Sequence, residues 1–290
     1  MSRTPSAAAL RPIATSEGLY TILAIDHGRS LQRHLDLADG AEAHRRLLAT
    51  KQAVVGLLAE YCSAVLLDAG VAASLGQGWQ LPDHVGLIVG LDAPDYDDTV
   101  CPPPAMPPDI VFDDAIQAGA GVAKIVLYYD PELPDAGSRR QAVTLIAEKC
   151  AVRGLPLLVE PLPHPGAVAT PQQRPWPIEA VIEHVVAAGA ALLKLPLWPL
   201  APDRADLCAR ITAAASGVPW ILLSSGAPYG QFMDNLQTAL MGGASGFAAG
   251  RSLWGELVLD VRNEAAARAA VERLAGAVRL TQSQGGAKIR

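Results

Sequence analysis

Cysteine is scarce in this chain: Cys62, Cys101, Cys150 and Cys208 are four thiols spread over 290 residues. None belongs to a Cys-x-x-Cys pair and none has a histidine at finger-like spacing, which argues against a disulfide framework or a structural zinc site. Aromatic residues are few, at 5%. The interior must therefore be built from Ala, Val, Leu and Ile, a composition that suits buried parallel strands under Ala-rich helices. Basic residues are in deficit, with 23 Lys and Arg against 29 Asp and Glu and a formal net charge of −6. No basic run is interleaved with aromatics, which argues against nucleic acid as a main partner but leaves room for a local basic pocket. Long apolar runs are also missing. The longest, Val185 to Leu200, is broken by Lys194 and by prolines, and Met1 to Pro12 has no signal-peptide core. The expectation is a cytoplasmic protein with no membrane partner.

What is present is apolar residue in quantity, 50% hydrophobic against 18% charged, enough for a sizeable core. Short β-branched or Leu-rich runs alternate with longer Ala-rich amphipathic segments. Strands are expected at Thr21 to Asp26, Ala64 to Asp68, Gly86 to Leu91, Val122 to Tyr128, Pro156 to Glu160, Leu192 to Leu195, Trp220 to Ser224 and Gly246 to Ala249. Helical segments follow most of them, the weak place being the short, Gly-rich stretch Gly70 to Asp83 after the second strand. This order predicts a single-domain (β/α)8 barrel, with a doubly wound sheet as the alternative. Cys101 to Pro108, rich in proline, is expected as a surface loop. Residues 1–11 and 282–290 are expected to be loosely held ends.

In such a barrel, polar residues at the C-terminal ends of strands face one shared site. Here they are Asp26, His27, Asp68, Asp92, Lys124, Glu160, Lys194, Ser224, Ser225 and Arg251. Lysine is rare, and two of the five, Lys124 and Lys194, sit inside strand-like segments where an ammonium is costly unless paired. Either they are core ion pairs or one is an imine-forming nucleophile. A lysine desolvated among Leu192, Leu193 and Leu195, with a second cation nearby, has its neutral amine favoured. That description fits Lys194 with Lys124 as the activating neighbour; spacing alone leaves the reverse assignment open. Glu160, followed by Pro161, which is expected to end strand pairing, can move protons or pair with a lysine. Asp26 is similar, whereas Asp68 and Asp92 read as ordinary strand-end acids. Ser225-Gly226 after the seventh strand and Gly250-Arg251 after the eighth stand where barrels often hold an anion. A divalent metal held by His27, Asp26, Glu160 and His164 is the competing chemistry, although none of these has ligand spacing. A non-catalytic sugar-phosphate sensor is the competing class.

The stretches Pro219-Trp-Ile-Leu-Leu-Ser-Ser-Gly226, Gly243-Ala-Ser-Gly-Phe-Ala-Ala-Gly-Arg-Ser-Leu-Trp254, Ser63-Ala-Val-Leu-Leu-Asp68 and Lys124-Ile-Val-Leu-Tyr-Tyr-Asp130 resemble the Schiff-base aldolases related to tagatose 1,6-bisphosphate and sulfofructosephosphate aldolases. The motif Asp26-His27-Gly28 is more similar to archaeal-type fructose-bisphosphate aldolases and their autoinducer-processing relatives. The resemblance implies a barrel and metal-free cleavage, without organic cofactor, of a ketose of the tagatose 1,6-bisphosphate or 6-deoxy-6-sulfofructose 1-phosphate type. By position it places the imine on Lys194, the second lysine at Lys124, the proton shuttle at Glu160 and the first-strand aspartate at Asp26. It places His27 beside the substrate and the phosphate or sulfonate at Ser225, Gly226, Gly250 and Arg251. A deoxyribose-phosphate or autoinducer-type aldolase is the alternative within this chemistry. The family's glutamate two residues after the imine lysine is replaced here by Pro196. A homo-oligomer is expected, since Ala-rich outer helices pack readily against another subunit.

Overall fold

A computed structural model describes residues 7–93, 101–164, 176–197 and 203–285. Among them, eight parallel strands close into a barrel in chain order: β1 (Tyr20–Ala24), β2 (Ala64–Asp68), β3 (Gly86–Gly90), β4 (Val122–Tyr128), β5 (Leu157–Leu162), β6 (Leu192–Pro196), β7 (Trp220–Leu223) and β8 (Gly246–Ala249). Around them, α1 (Arg29–His34) and α2 (Ala41–Leu58) follow β1, and α3 (Ala69–Ala72) follows β2. The helices α4 (Asp109–Gln117), α5 (Ala136–Ala151), α6 (Ile178–Ala187), α7 (Arg204–Ala214) and α8 (Tyr229–Met241) follow β3 to β7. After β8 come α9 (Arg251–Trp254) and α10 (Glu264–Gly285). The expected (β/α)8 barrel is found, and the weak place after β2 holds only the four-residue α3.

The two-residue period of a strand explains where the charges go. Ile22, Leu66, Ile88, Val122, Leu158, Leu192, Ile221 and Ala248 all face one apolar cluster inside the barrel. Counting on by twos from these residues leads to Asp26, Asp68, Asp92, Lys124, Glu160, Lys194 and Gly250. The interior is thus apolar in its lower layers and charged only at the end where the strands finish. The outward-facing strand residues and the helices form a second, larger core.

Of the ends expected to be loose, residues 7–11 and 282–285 are held in helices, while residues 1–6 and 286–290 lie outside the described residues. Residues 7–13 form a 3-10 helix whose Leu10 and Ile13 join the interior cluster, and Ser63 Oγ donates to the Ile13 carbonyl at 2.8 Å. This segment stoppers the barrel because the lower strand ends leave apolar side chains to be covered. At the other end, α10 continues to Gly285 with Thr281 buried. The stopper lies so close to β3 that a Cβ on Gly86 would stand 2.1 Å from the Pro12 carbonyl oxygen. Gly86→Ala is therefore expected to cost about 1–3 kcal/mol of stability through overpacking, measured by urea unfolding. An unchanged midpoint would show that the stopper is not pressed onto the barrel.

Two prolines open one seam. Pro161 does not end pairing as expected: β4 and β5 stay in register through Leu127↔Pro161 and Tyr128↔Leu162. Pro156 and Leu162 turn their carbonyls to β4, and Leu157 turns its carbonyl to β6, so alternation points the missing N–H of Pro161 at β6. By the same alternation Leu193 donates toward β7, leaving Pro196 to face β5. Pairing between β5 and β6 ends at Val159↔Leu193, while Pro196 remains opposite Leu223 of β7. Both prolines thus face the part of the seam where no ladder bond is made, which is why the barrel tolerates them.

Candidate active site

The strand ends open into a cavity of about 980 Å³ that reaches from β8 and α9, over the lysines, to α2. At its centre one carboxylate oxygen serves two lysine side chains. Lys194 Nζ donates to Glu160 Oε2 at 2.9 Å, and Lys124 Nζ lies 3.2 Å from the same atom. Lys124 also donates to Asp26 Oδ2 at 2.7 Å and to Asp92 Oδ2 at 3.2 Å. Both lysines are only 3% exposed. They therefore differ sharply in surroundings: Lys124 is bracketed by three carboxylates, whereas Lys194 meets Glu160 alone among the described residues.

These surroundings decide the protonation states. Burial works against the Lys124 ammonium, yet Asp26, Asp92 and Glu160 together hold its pKa well above the ordinary lysine value. Burial also works against the Asp26 carboxylate, but Lys124 and Lys194 pull its pKa below the usual range. Glu160 is likewise held low by Lys194 and Lys124 in spite of burial. At Asp92 burial prevails over the attraction of Lys124, and its pKa is raised. Lys124, expected as the activating neighbour of Lys194, does lie beside it, on the same Glu160 oxygen. Its charge is compensated by its three carboxylates, and it meets Lys194 through the Glu160 oxygen that they share.

His27 lies beside this cluster, its ring edge-on to Trp254 with centroids 5.5 Å apart. Trp254 is itself tied to β1 by its Nε1, which donates to the Ala24 carbonyl at 3.1 Å. Burial lowers the His27 pKa to about 4, with Asp26 opposing the shift and Lys194 and Arg251 adding to it. The ring is therefore neutral at physiological pH, and its buried Nδ1 has no hydrogen-bond partner among the described residues. The ordinary value is 6.5, so between pH 6.5 and 4 the unfolded chain takes up a proton that the folded chain excludes. Stability should fall over that window as pH is lowered, by on the order of 2–3 kcal/mol from this group. His27→Gln is expected to flatten the dependence, measured as urea-unfolding free energies at pH 6.5 and 4.5. Equal slopes would show that the histidine is not held neutral.

Across β7 and β8, the four expected anion-site residues come together. Ser225 and Gly226 both have left-handed backbone, with φ of 53° and 69°. A Cβ on Gly226 would rest in contact with the Arg251 guanidinium at 3.4 Å, and it is the positive φ that favours glycine there. Gly250 caps α9 and its N–H lies 3.4 Å from Ser224 Oγ. Arg251 Nε is buried without a partner among the described residues, a donor aimed at no protein acceptor.

Two acids expected at the rim as ordinary strand-end residues have further partners there. Asp92 belongs to the lysine cluster and also accepts from the Val126 N–H at 2.9 Å. Asp68 lines the cavity, caps α3 by accepting from the Val71 N–H and pairs with Lys51, a buried lysine on α2. Counting by twos from Ile88 and Leu66 puts both on the inner face, in keeping with the strand-end rule. Lys51 had no such signal, because it reaches in from a helix. The expected loop at Cys101 to Pro108 is present but not wholly superficial: Cys101 is buried, its carbonyl accepts from Arg139, and Met106 and Pro107 line the cavity.

A family model described as DeoC/LacD family aldolase matches residues 20–256. The chain belongs to this aldolase family. Tagatose 1,6-diphosphate aldolase of Listeria monocytogenes is 25% identical over 277 residues, covering 85% of this aldolase and 80% of its own length. Among solved structures, a fructose-bisphosphate aldolase from Slackia heliotrinireducens superposes with TM-score 0.70 at 16% identity, covering 99% of this chain and 94% of its own. An archaeal fructose 1,6-bisphosphate aldolase gives 0.67 at 18% identity, with 96% and 99% covered. In this aldolase the carboxylates that the metal alternative needs, Asp26 and Glu160, are both engaged by lysines. His164 stands near Asp135 at the start of α5. No helix among the described residues is long and apolar enough to cross a membrane.

Proposed function

We propose that this aldolase is a class I enzyme that cleaves a phosphorylated or sulfonated ketose through an imine on Lys194, releasing dihydroxyacetone phosphate and an aldehyde. The observation that carries the reading is the asymmetry of the two lysines. Lys124, among three carboxylates, is held as an ammonium, which disfavours it as a nucleophile; Lys194 has a single carboxylate partner and is the less encumbered nitrogen. Spacing in the sequence leaves the two interchangeable, and their partners favour Lys194.

In this mechanism Lys194 Nζ attacks the C2 carbonyl and loses water to give an iminium. Glu160, held by Lys124, takes the proton of the C4 hydroxyl as the C3–C4 electron pair moves into the iminium. The aldehyde departs, the enamine takes a proton at C3, and water hydrolyses the imine to free dihydroxyacetone phosphate and the amine. Asp26 holds Lys124 and thereby Glu160. His27, neutral, offers an uncharged hydrogen-bonding group beside the substrate. The phosphate or sulfonate meets Arg251 and the backbone of Ser225, Gly226 and Gly250, where the unpaired Arg251 donor finds acceptors.

The Listeria relative bears the name of a tagatose 1,6-diphosphate aldolase, which supports a ketose phosphate as substrate. Incubation with tagatose 1,6-bisphosphate, fructose 1,6-bisphosphate, 6-deoxy-6-sulfofructose 1-phosphate and simple ketose 1-phosphates, with dihydroxyacetone phosphate assayed enzymatically, tests the reading. Release at a rate indifferent to chelator is expected. Release abolished by chelator would favour metal chemistry, and binding without release would favour a sensor.

A further inference from the structure

The end of the cavity farthest from Arg251 is chemically unlike the anion site. In the closed order of strands, β3 and β4 lie across the barrel from β7 and β8. Beyond the lysines the cavity continues over the ends of β1 to β3 to the inner face of α2, forming an arm walled by Ala43, Leu47, Leu48, Val71, Met106 and Val111. Its polar groups include the carboxylates Asp39, Asp68 and Asp92 beside Gln32, His44 and the cations Lys51 and Arg29. Asp92 and Asp68 lie at its floor, and Asp39, at its mouth, accepts from Gln32 Nε2 at 2.8 Å. The buried cation there, Lys51, is already neutralised by Asp68, and Arg29 stands exposed at the rim.

A ketose whose phosphate sits at β7 and β8 and whose C2 meets Lys194 on β6 must send its remaining carbons over Glu160 toward this arm. We infer that the aldehyde half of the substrate carries no phosphate or sulfonate, and that the arm selects an uncharged aldehyde whose carbon chain lies on Leu47, Val71 and Met106. This rests on the imine reading above and narrows it, replacing the doubly anionic ketoses implied by the resemblance with a ketose 1-phosphate bearing an uncharged tail. The physical reason is one of charge. A second anion would lose its hydration between alkyl walls, and the buried cations Lys51 and Lys124 that could meet it are already held by carboxylates. A hydroxyl would instead find acceptors in the same carboxylates.

The condensation direction tests this, with dihydroxyacetone phosphate and three aldehydes: butanal, glyceraldehyde and glyceraldehyde 3-phosphate. The uncharged aldehydes are expected to exceed the phosphorylated one at least tenfold in kcat/KM; equality or the opposite preference overturns the inference. Asp68→Asn keeps the cap on α3 but leaves Lys51 as an uncompensated cation. It should shift the ratio of glyceraldehyde 3-phosphate to glyceraldehyde about tenfold toward the phosphate, and an unchanged ratio would show that the tail does not lie in this arm. Borohydride trapping of dihydroxyacetone phosphate on the unaltered enzyme separates the two levels. Without an adduct the imine reading itself fails, whereas an adduct together with a preference for the phosphorylated aldehyde overturns only the arm.

Discussion

Lys194→Met is expected to lower cleavage by at least about 10⁴-fold, since it removes the atom to which the substrate is bonded during turnover. The fold should survive. Glu160 Oε2 lies 3.2 Å from Lys124 as well as 2.9 Å from Lys194, so the carboxylate keeps a counter-ion when the second amine is lost. Methionine also fills most of the lysine's volume above Leu192 on the inner face of the barrel without a charge to bury, which should hold the stability change below about 1.5 kcal/mol. Assay of dihydroxyacetone phosphate release together with urea unfolding separates these effects. Near-native cleavage by a folded variant would refute the assignment.

The equivalent change at the other lysine should do the reverse. Lys124→Met leaves Asp26, Asp92 and Glu160 facing one another, with only Lys194 to offset three buried carboxyl groups. Removing one partner from a buried ionic cluster typically costs about 3–5 kcal/mol, and that is the loss expected here. The sign of its pH dependence follows from the charges. Without the ammonium, protonation of the carboxyl groups relieves their repulsion, so the deficit relative to the unaltered protein should be larger at pH 8 than at pH 5. Adding Asp26→Asn to the variant should recover part of the loss. A Lys124→Met protein within 1 kcal/mol of the original across that range would show that the cluster is not held by this lysine.

Much of this architecture is legible in the chain because strand periodicity and barrel topology are both short-range rules. Once eight apolar runs are separated by helical segments, each polar residue two positions beyond an inward apolar one falls on the same rim. That is how Lys124, Glu160, Lys194 and Asp26 are found together. The same count applies to Asp68 and Asp92, whose part in the site is not legible because an aspartate at a strand end is also an ordinary turn residue. Other features depend on contacts between distant segments. Lys51 is one position on a long amphipathic helix, and only the packing of α2 against β2 turns it toward Asp68. Leu10 and Ile13 read as an unremarkable start until the open lower end of the barrel requires a cover. The relative roles of the two lysines could not be read from spacing, because they depend on how many carboxylates surround each one.

The most direct test of the central claim is borohydride reduction in the presence of dihydroxyacetone phosphate, followed by peptide mass spectrometry. The account predicts one adduct, on the peptide containing Lys194, and its disappearance in Lys194→Met. An adduct on Lys124 would reverse the two lysines, and the absence of any adduct while dihydroxyacetone phosphate is demonstrably bound would contradict imine chemistry in this protein.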